Sequence, residues 1–247
     1  MMSKKKSSLA KPNKKGARRP LAKEVEAAVA SLKRLATKST RDGMARYGLP
    51  SDKAFGVPVG AIQKLARQLG QNHELAVALW DTGWYEARML AAFVDEPERV
   101  TPAQMDRWCR DFDNWGIVDT VCFKLFDRTP YAFDKVEQWA SRRDEFGKRA
   151  GVVLLACLAL HDKRTGDEPF VRGLSFVERA ATDERNFVKK AVSWALRSIG
   201  RRNSKLHAAA VAVAQRLSAS PQAAAGWVGK DALRELTSTA VTRRRKA

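Results

Sequence analysis

The segment AGVVLLACLAL (150–160) decides the fold, because it is apolar on every side of a helix and not along one stripe. A helix of that kind is packed on both flanks, inside a larger array. The stretch from Leu206 to Leu217 has the same character. Working outward from these two, apolar residues recur at spacings of three and four from Glu24 onward, and alternating β-branched runs bounded by hairpin turn pairs are missing. Thr101-Pro102, Thr129-Pro130 and Ser220-Pro221 each read as a hydroxyl N-cap followed by proline at the first helical position. The pattern predicts helices over 24–37, 40–47, 58–69, 73–82, 84–95, 102–112, 115–127, 130–142, 145–161, 169–181, 185–199, 204–218, 221–227 and 230–240. Three-turn helices with short loops pair as antiparallel hairpins, and one hairpin cannot bury its own apolar face, so the hairpins must stack. The predicted fold is all-α, an α-solenoid of degenerate helical repeats without a strict sequence period.

At 247 residues the chain fits one large domain or an array of stacked units, and two independent domains would be a tight fit. Its 46 Lys and Arg against 27 Asp and Glu give a net charge of +19, which favours a polyanionic partner. Eight of those cations lie in residues 1–20, with no acid, and Arg243, Arg244, Arg245 and Lys246 add four. The body between them keeps an excess of only seven, so any binding face must arise by clustering. Residues 1–20 read as a disordered basic arm, compatible with a targeting address and equally with a flexible nucleic-acid-binding tail. The expected organisation is this arm, a helical repeat domain over 21–241, and a basic tail over 242–247.

No apolar run of 18 residues exists and the tails lack an amphipathic stripe, which disfavours a membrane partner. Cys109, Cys122 and Cys157 are odd in number and widely spaced, and no apolar leader precedes the body, so a reducing compartment is expected. There is no CxxC, no HExxH and no clustering of His73, His161 and His207, so neither a metal nor another cofactor is expected.

Four groups of residues could carry chemistry. In DNWGIVDTVC (113–122), Trp115 and Asp119 share one helix face, about 5–6 Å apart at Cβ, with Asn114 or Asp113 as the N-cap. The bland alternative is a packed indole and an acid that complements the helix N-terminus. Lys190, Trp194, Arg197 and Arg201 project from one side of a helix, where like charges repel and a phosphate track would give them a purpose. A solvated basic helix end with Trp194 buried fits the same spacing. Lys148 and Arg149 open the apolar helix, either as polar caps or, through the planar fork of Arg149, as phosphate ligands. Met44, Arg46 and Tyr47 place an aromatic beside a cation, for nucleic acid or for core packing.

Taken in order and separation, the blocks FGVPVGAIQKLAR (55–67), NWGIVDTV (114–121), KRAGVVLL (148–155) and FVKKAVSWALRSIG (187–200) resemble those of the AlkD-type DNA alkylation repair proteins, and the similarity runs over most of residues 24–240. The resemblance implies a solenoid of HEAT-like helix pairs with a concave basic surface. It implies that Trp115 and Trp194 are active-site tryptophans, Asp119 the catalytic carboxylate and Arg149 a phosphate contact. Tyr47 falls near a position that touches DNA. Many relatives carry an acid directly after the first tryptophan, where this chain has Gly116. The activity implied is hydrolysis of the glycosidic bond of N3- or N7-alkylated purines in double-stranded DNA, by a monomeric, cytoplasmic, nucleoid-associated enzyme of bacterial type. The backbone is gripped and the base is left in the duplex. A non-catalytic binder of DNA or structured RNA, or a protein-interaction scaffold, would keep the same fold without the chemistry.

Overall fold

The computed structural model of the chain describes residues 20–49 and 52–238. Among them stand thirteen α-helices and no strand: α1 (Leu21–Arg34), α2 (Lys38–Met44), α3 (Val59–Leu69), α4 (His73–Asp81), α5 (Tyr85–Val94), α6 (Pro102–Arg110), α7 (Trp115–Lys124), α8 (Ala132–Ala140), α9 (Glu145–His161), α10 (Glu168–Ala180), α11 (Asn186–Gly200), α12 (Ser204–Ser218) and α13 (Ala223–Leu236). Short 3₁₀ turns follow α2 (Ala45–Tyr47) and α7 (Phe126–Arg128). The basic arm and the basic tail lie outside the described residues, apart from Pro20, which precedes α1.

The helices stack in two layers. One runs α3, α5, α7, α9, α11, α13, each against the next, and α8, α10 and α12 pack behind it. The apolar run of α9 sits where the sequence puts it, between α7 and α11 with α8 behind, and every residue from Ala150 to Ala159 is buried. Gly151 permits the α8 contact, since a Cβ there would lie 2.4 Å from the Ala140 backbone nitrogen. Trp80, Trp108 and Trp139 are fully buried, the first two stacked at 3.9 Å. No helix among the described residues is long and apolar enough to cross a membrane.

Two local expectations are corrected. The helices expected over 221–227 and 230–240 are one helix, α13. Gly229 lies inside it and allows close approach, since a Cβ on it would lie 2.2 Å from the backbone nitrogen of Ser218, at the end of α12. Of the three hydroxyl–proline starts, only Thr101 caps, its Oγ1 accepting from the Gln104 N–H at 3.2 Å. Thr129 instead donates to the Phe126 carbonyl, and Ser220 accepts from Gln222 N–H ahead of the helix, so α8 and α13 begin later, at Ala132 and Ala223.

Candidate active site

Asn114 sets the site by capping α7. Its Oδ1 accepts from the Ile117 N–H at 2.9 Å, which places Trp115 at the first helical position and Asp119 one turn later on the same face. Asp119 reaches across to α9, where Arg149 is 5% exposed. The Nε and Nη2 groups of Arg149 donate to the two carboxylate oxygens at 3.0 and 2.8 Å. Its remaining Nη1 donates to the Phe187 carbonyl at the start of α11. One guanidinium thereby ties α7, α9 and α11 together at their N-terminal ends. Burial pushes the Asp119 carboxyl upward, and the charge and hydrogen bonds of Arg149 oppose the shift. A guanidinium stays charged in a protein, so the bidentate geometry holds Asp119 as the carboxylate at neutral pH.

The pair opens onto a cleft of 450 Å³ lined by Trp115, Asp119, Arg149, Phe187 and Lys190, with Arg46 and Tyr47 on its other side. Within that lining Asp119 is the one carboxylate. Tyr47 is 68% exposed, which excludes the core-packing alternative for it, while Met44 beside it is buried. The Tyr47 backbone carbonyl accepts from the Trp115 indole N–H at 2.7 Å, so the indole is fixed by its edge. Gly48, in the left-handed region at φ 65°, turns the chain after Tyr47, and a Cβ on it would lie 3.0 Å from Cζ of the Phe187 ring.

The module that carries Tyr47 is anchored by a residue the sequence reading missed. Glu86 on α5 is fully buried and accepts the backbone N–H groups of Phe55, Gly56 and Val57 at 2.9, 2.6 and 3.1 Å. Gly56 in turn accepts from Thr37 N–H, the cap of α2. Phe187 and Tyr85 were also missed. Tyr85 explains Gly116: a Cβ there would meet the Tyr85 hydroxyl at 2.7 Å and Leu49 Cδ2 at 2.9 Å, so the space an acidic side chain would need is taken. Burial and the negative charges of Glu86, Asp119 and Asp113 push the Tyr85 phenol up to about 12.

The other residues singled out from the sequence do not all converge. Lys190 is exposed at the cleft. Trp194, one turn further along α11, is half-buried against the core and outside the cleft lining. Arg197 and Arg201 both pair with Glu235 of α13, Arg201 at 2.5 Å. Their alignment is therefore balanced by a carboxylate that the one-helix pattern did not show. Lys148 donates to Asp183 at 2.9 Å.

A family model described as DNA alkylation repair enzyme matches residues 28–236. The chain belongs to the DNA alkylation repair enzyme family. No curated protein sequence matches it at a significant level. Among solved structures, it is similar to a protein described as one of a new family related to the HEAT-like repeat DNA glycosylases with affinity for branched DNA structures, at TM-score 0.73 and 22% identity, over 85% of this chain and 94% of that one. That likeness establishes a HEAT-like solenoid for this member of the DNA alkylation repair family. A designed armadillo repeat protein overlaps with a TM-score of 0.33 at 14% identity, over 80% of this chain and 100% of that one, too remote to bear on the site.

Proposed function

We propose that this DNA alkylation repair protein is a glycosylase that removes N3- or N7-alkylated purines from duplex DNA, with Asp119 as the catalytic carboxylate. The supporting observation is the single carboxylate of the cleft, held in one orientation by both arms of Arg149 beside the Trp115 indole. Breaking the C1′–N bond builds oxocarbenium-like positive charge on the deoxyribose. A fixed carboxylate stabilises that charge without reorganising, and it orients a water toward C1′. An alkylated purine is already cationic and leaves without a proton donor, which suits a cleft whose lining holds one carboxylate and no second one. The face of Trp115 supplies a wall for the sugar and favours a partial cation.

Arg46, Tyr47 and Lys190 line the cleft and serve as backbone contacts. Arg149 acts by positioning Asp119, with three of its five N–H groups engaged by Asp119 and the Phe187 carbonyl. Trp194 is the second wall if the nucleotide extends past Lys190. For Lys148, Arg197 and Arg201, contact with a phosphate means exchanging a carboxylate partner for it.

Incubation with duplex DNA containing 7-methylguanine should give free base and abasic sites in equal amounts. Tight, salt-sensitive binding to alkylated and unmodified duplex alike, with no base release, would instead identify a non-catalytic binder.

A further inference from the structure

The layer formed by α3, α5, α7, α9 and α11 has a second end, which the proposed chemistry does not use. At the C-terminal ends of these helices a groove of 410 Å³ is lined by Arg67 of α3, Phe93 of α5, Lys124 of α7 and Arg128. Arg128 also lines a neighbouring groove of 640 Å³, whose wall includes His161, Lys163 and Arg164 at the end of α9. The cations follow one another across the helices in a row.

Several cations elsewhere on the surface are paired with acids, as in Lys148 with Asp183, Arg216 with Glu178 and Arg107 with Asp81. In the row, the side chains of Arg67, Arg128, Lys163 and Arg164 make no ion pair or hydrogen bond among the described residues. Lys124 lies over the Phe123 ring at 4.7 Å and makes no ion pair among the described residues. That ring packs edge-on against His161 at 4.3 Å, and the buried Asp127 holds the His161 Nδ1. Asp127 and Asp162 line the same groove but are engaged by His161 and Thr165, so the five cations keep a local excess of positive charge that a polyanion laid along them neutralises.

The spacing from the Asp119 cleft indicates what polyanion fits. Arg149 and His161 sit at opposite ends of α9, about 18 Å apart at a rise of about 1.5 Å per residue. Trp115 and Lys124 are separated by about 13 Å along α7. The major groove of B-form DNA is about 12 Å wide between its two backbones, and the phosphates themselves add several ångströms. Resting on the function proposed above, we propose that Arg67, Lys124, Arg128, Lys163 and Arg164 form a second backbone track that seats the strand opposite the one at Asp119. A duplex places one backbone at each end of the layer at the same time, which a single strand held at Asp119 does not do with its backbone fixed there.

The test replaces all five cations with alanine, alongside a Lys23→Ala/Lys205→Ala control on α1 and α12, with thermal unfolding to confirm the fold and the pair variant Lys163→Ala/Arg164→Ala as a milder perturbation. Affinity for an unmodified DNA duplex and for its single strand is titrated against salt. Each phosphate contact adds about 0.9 to the slope of log affinity against log salt, so the duplex slope should become shallower by about 4.5 in the five-fold variant and about 1.8 in the pair variant. Single-strand affinity and the control should stay within about twofold of wild type. Equal losses for both strands states, or an unchanged duplex slope in a folded variant, would overturn the proposal. So would a loss confined to an RNA duplex. Because binding to undamaged DNA is measured, the outcome stands even if the wild-type protein releases no base, a result that would defeat the glycosylase assignment alone.

Discussion

Replacing Arg149 with methionine should be the most damaging single change near the cleft, and its cost follows from the bonds it breaks. Methionine keeps most of the buried stem volume, so little cavity is created. The losses are the two hydrogen bonds to Asp119 and the one to the Phe187 carbonyl, which together join three helices. Removing one partner of a buried ion pair costs about 3–5 kcal/mol, chiefly because the other charge is left bare. The Asp119 side chain keeps 23% exposure through the cleft, so the lower end applies, about 3 kcal/mol. For a chain of this length the melting temperature falls by about 2–4 °C per kcal/mol, a drop of about 6–12 °C measurable by calorimetry. In Asp119→Asn/Arg149→Met no bare charge remains, and the double variant should recover about 2 kcal/mol relative to the sum of the single costs.

The pH dependence supplies an independent sign. Burial raises the Asp119 carboxyl in the native protein, and removing Arg149 takes away the influence that lowers it. With its folded pKa further above the unfolded value of about 3.9, the native state takes up the proton first as pH falls. The deficit of Arg149→Met relative to wild type should therefore be largest at pH 7 and shrink as pH falls through the folded pKa of Asp119 toward 4. A loss below about 1 kcal/mol, additivity with Asp119→Asn, or a deficit that grows in acid would refute the structural role given to the pair.

Trp115→Ala removes a sugar-facing wall and the bond to the Tyr47 carbonyl, and should slow base release by about tenfold to a hundredfold in single-turnover assays, on a stacking contribution of about 1–3 kcal/mol. Trp115→Phe keeps a ring and should fall between. Gly116→Ala must push aside the Tyr85 hydroxyl or Leu49, costing about 1–3 kcal/mol in urea unfolding, and Tyr85→Phe should restore part of it. Asp183 is held well below the ordinary carboxylate range by Arg185 first and Lys148 next, so its contribution is present above about pH 4 and lost as pH falls below. Arg185→Met should therefore narrow the stability difference between pH 7 and pH 3.

The fold was legible where a helix advertises itself over its whole length. The all-round apolar run of α9 names a central helix with neighbours on both sides, and the Asp113-Asn114 pair marks the start of α7 while leaving open which of the two caps it. What failed locally were positions whose meaning depends on a distant partner. Residues 221–240 read as two helices until Gly229 is seen packed against α12, and the Thr129 hydroxyl looks like a cap until its bond to Phe126 is seen. At the site, the face shared by Trp115 and Asp119 follows from a spacing of four. That Arg149 would be consumed by Asp119, thirty positions earlier, does not follow from any local pattern. The same holds for Glu86, whose three backbone partners lie about thirty residues before it, and for Arg197 and Arg201, which share an acid on α13. Seven tryptophans appear in the sequence, and only tertiary packing separates Trp115, with its edge fixed at the cleft, from core indoles such as Trp80 and Trp108.

The most direct test of the central claim is the single-turnover rate of 7-methylguanine release from duplex DNA by the wild-type protein and by Asp119→Asn, compared at equal saturation with the spontaneous rate. Release by the wild type well above the spontaneous rate, with a loss of about a hundredfold or more in Asp119→Asn and unchanged duplex affinity, is the expected result, in line with the loss of one preorganised electrostatic group. Equal rates for the two proteins would contradict it, as would a wild-type rate no faster than the spontaneous one.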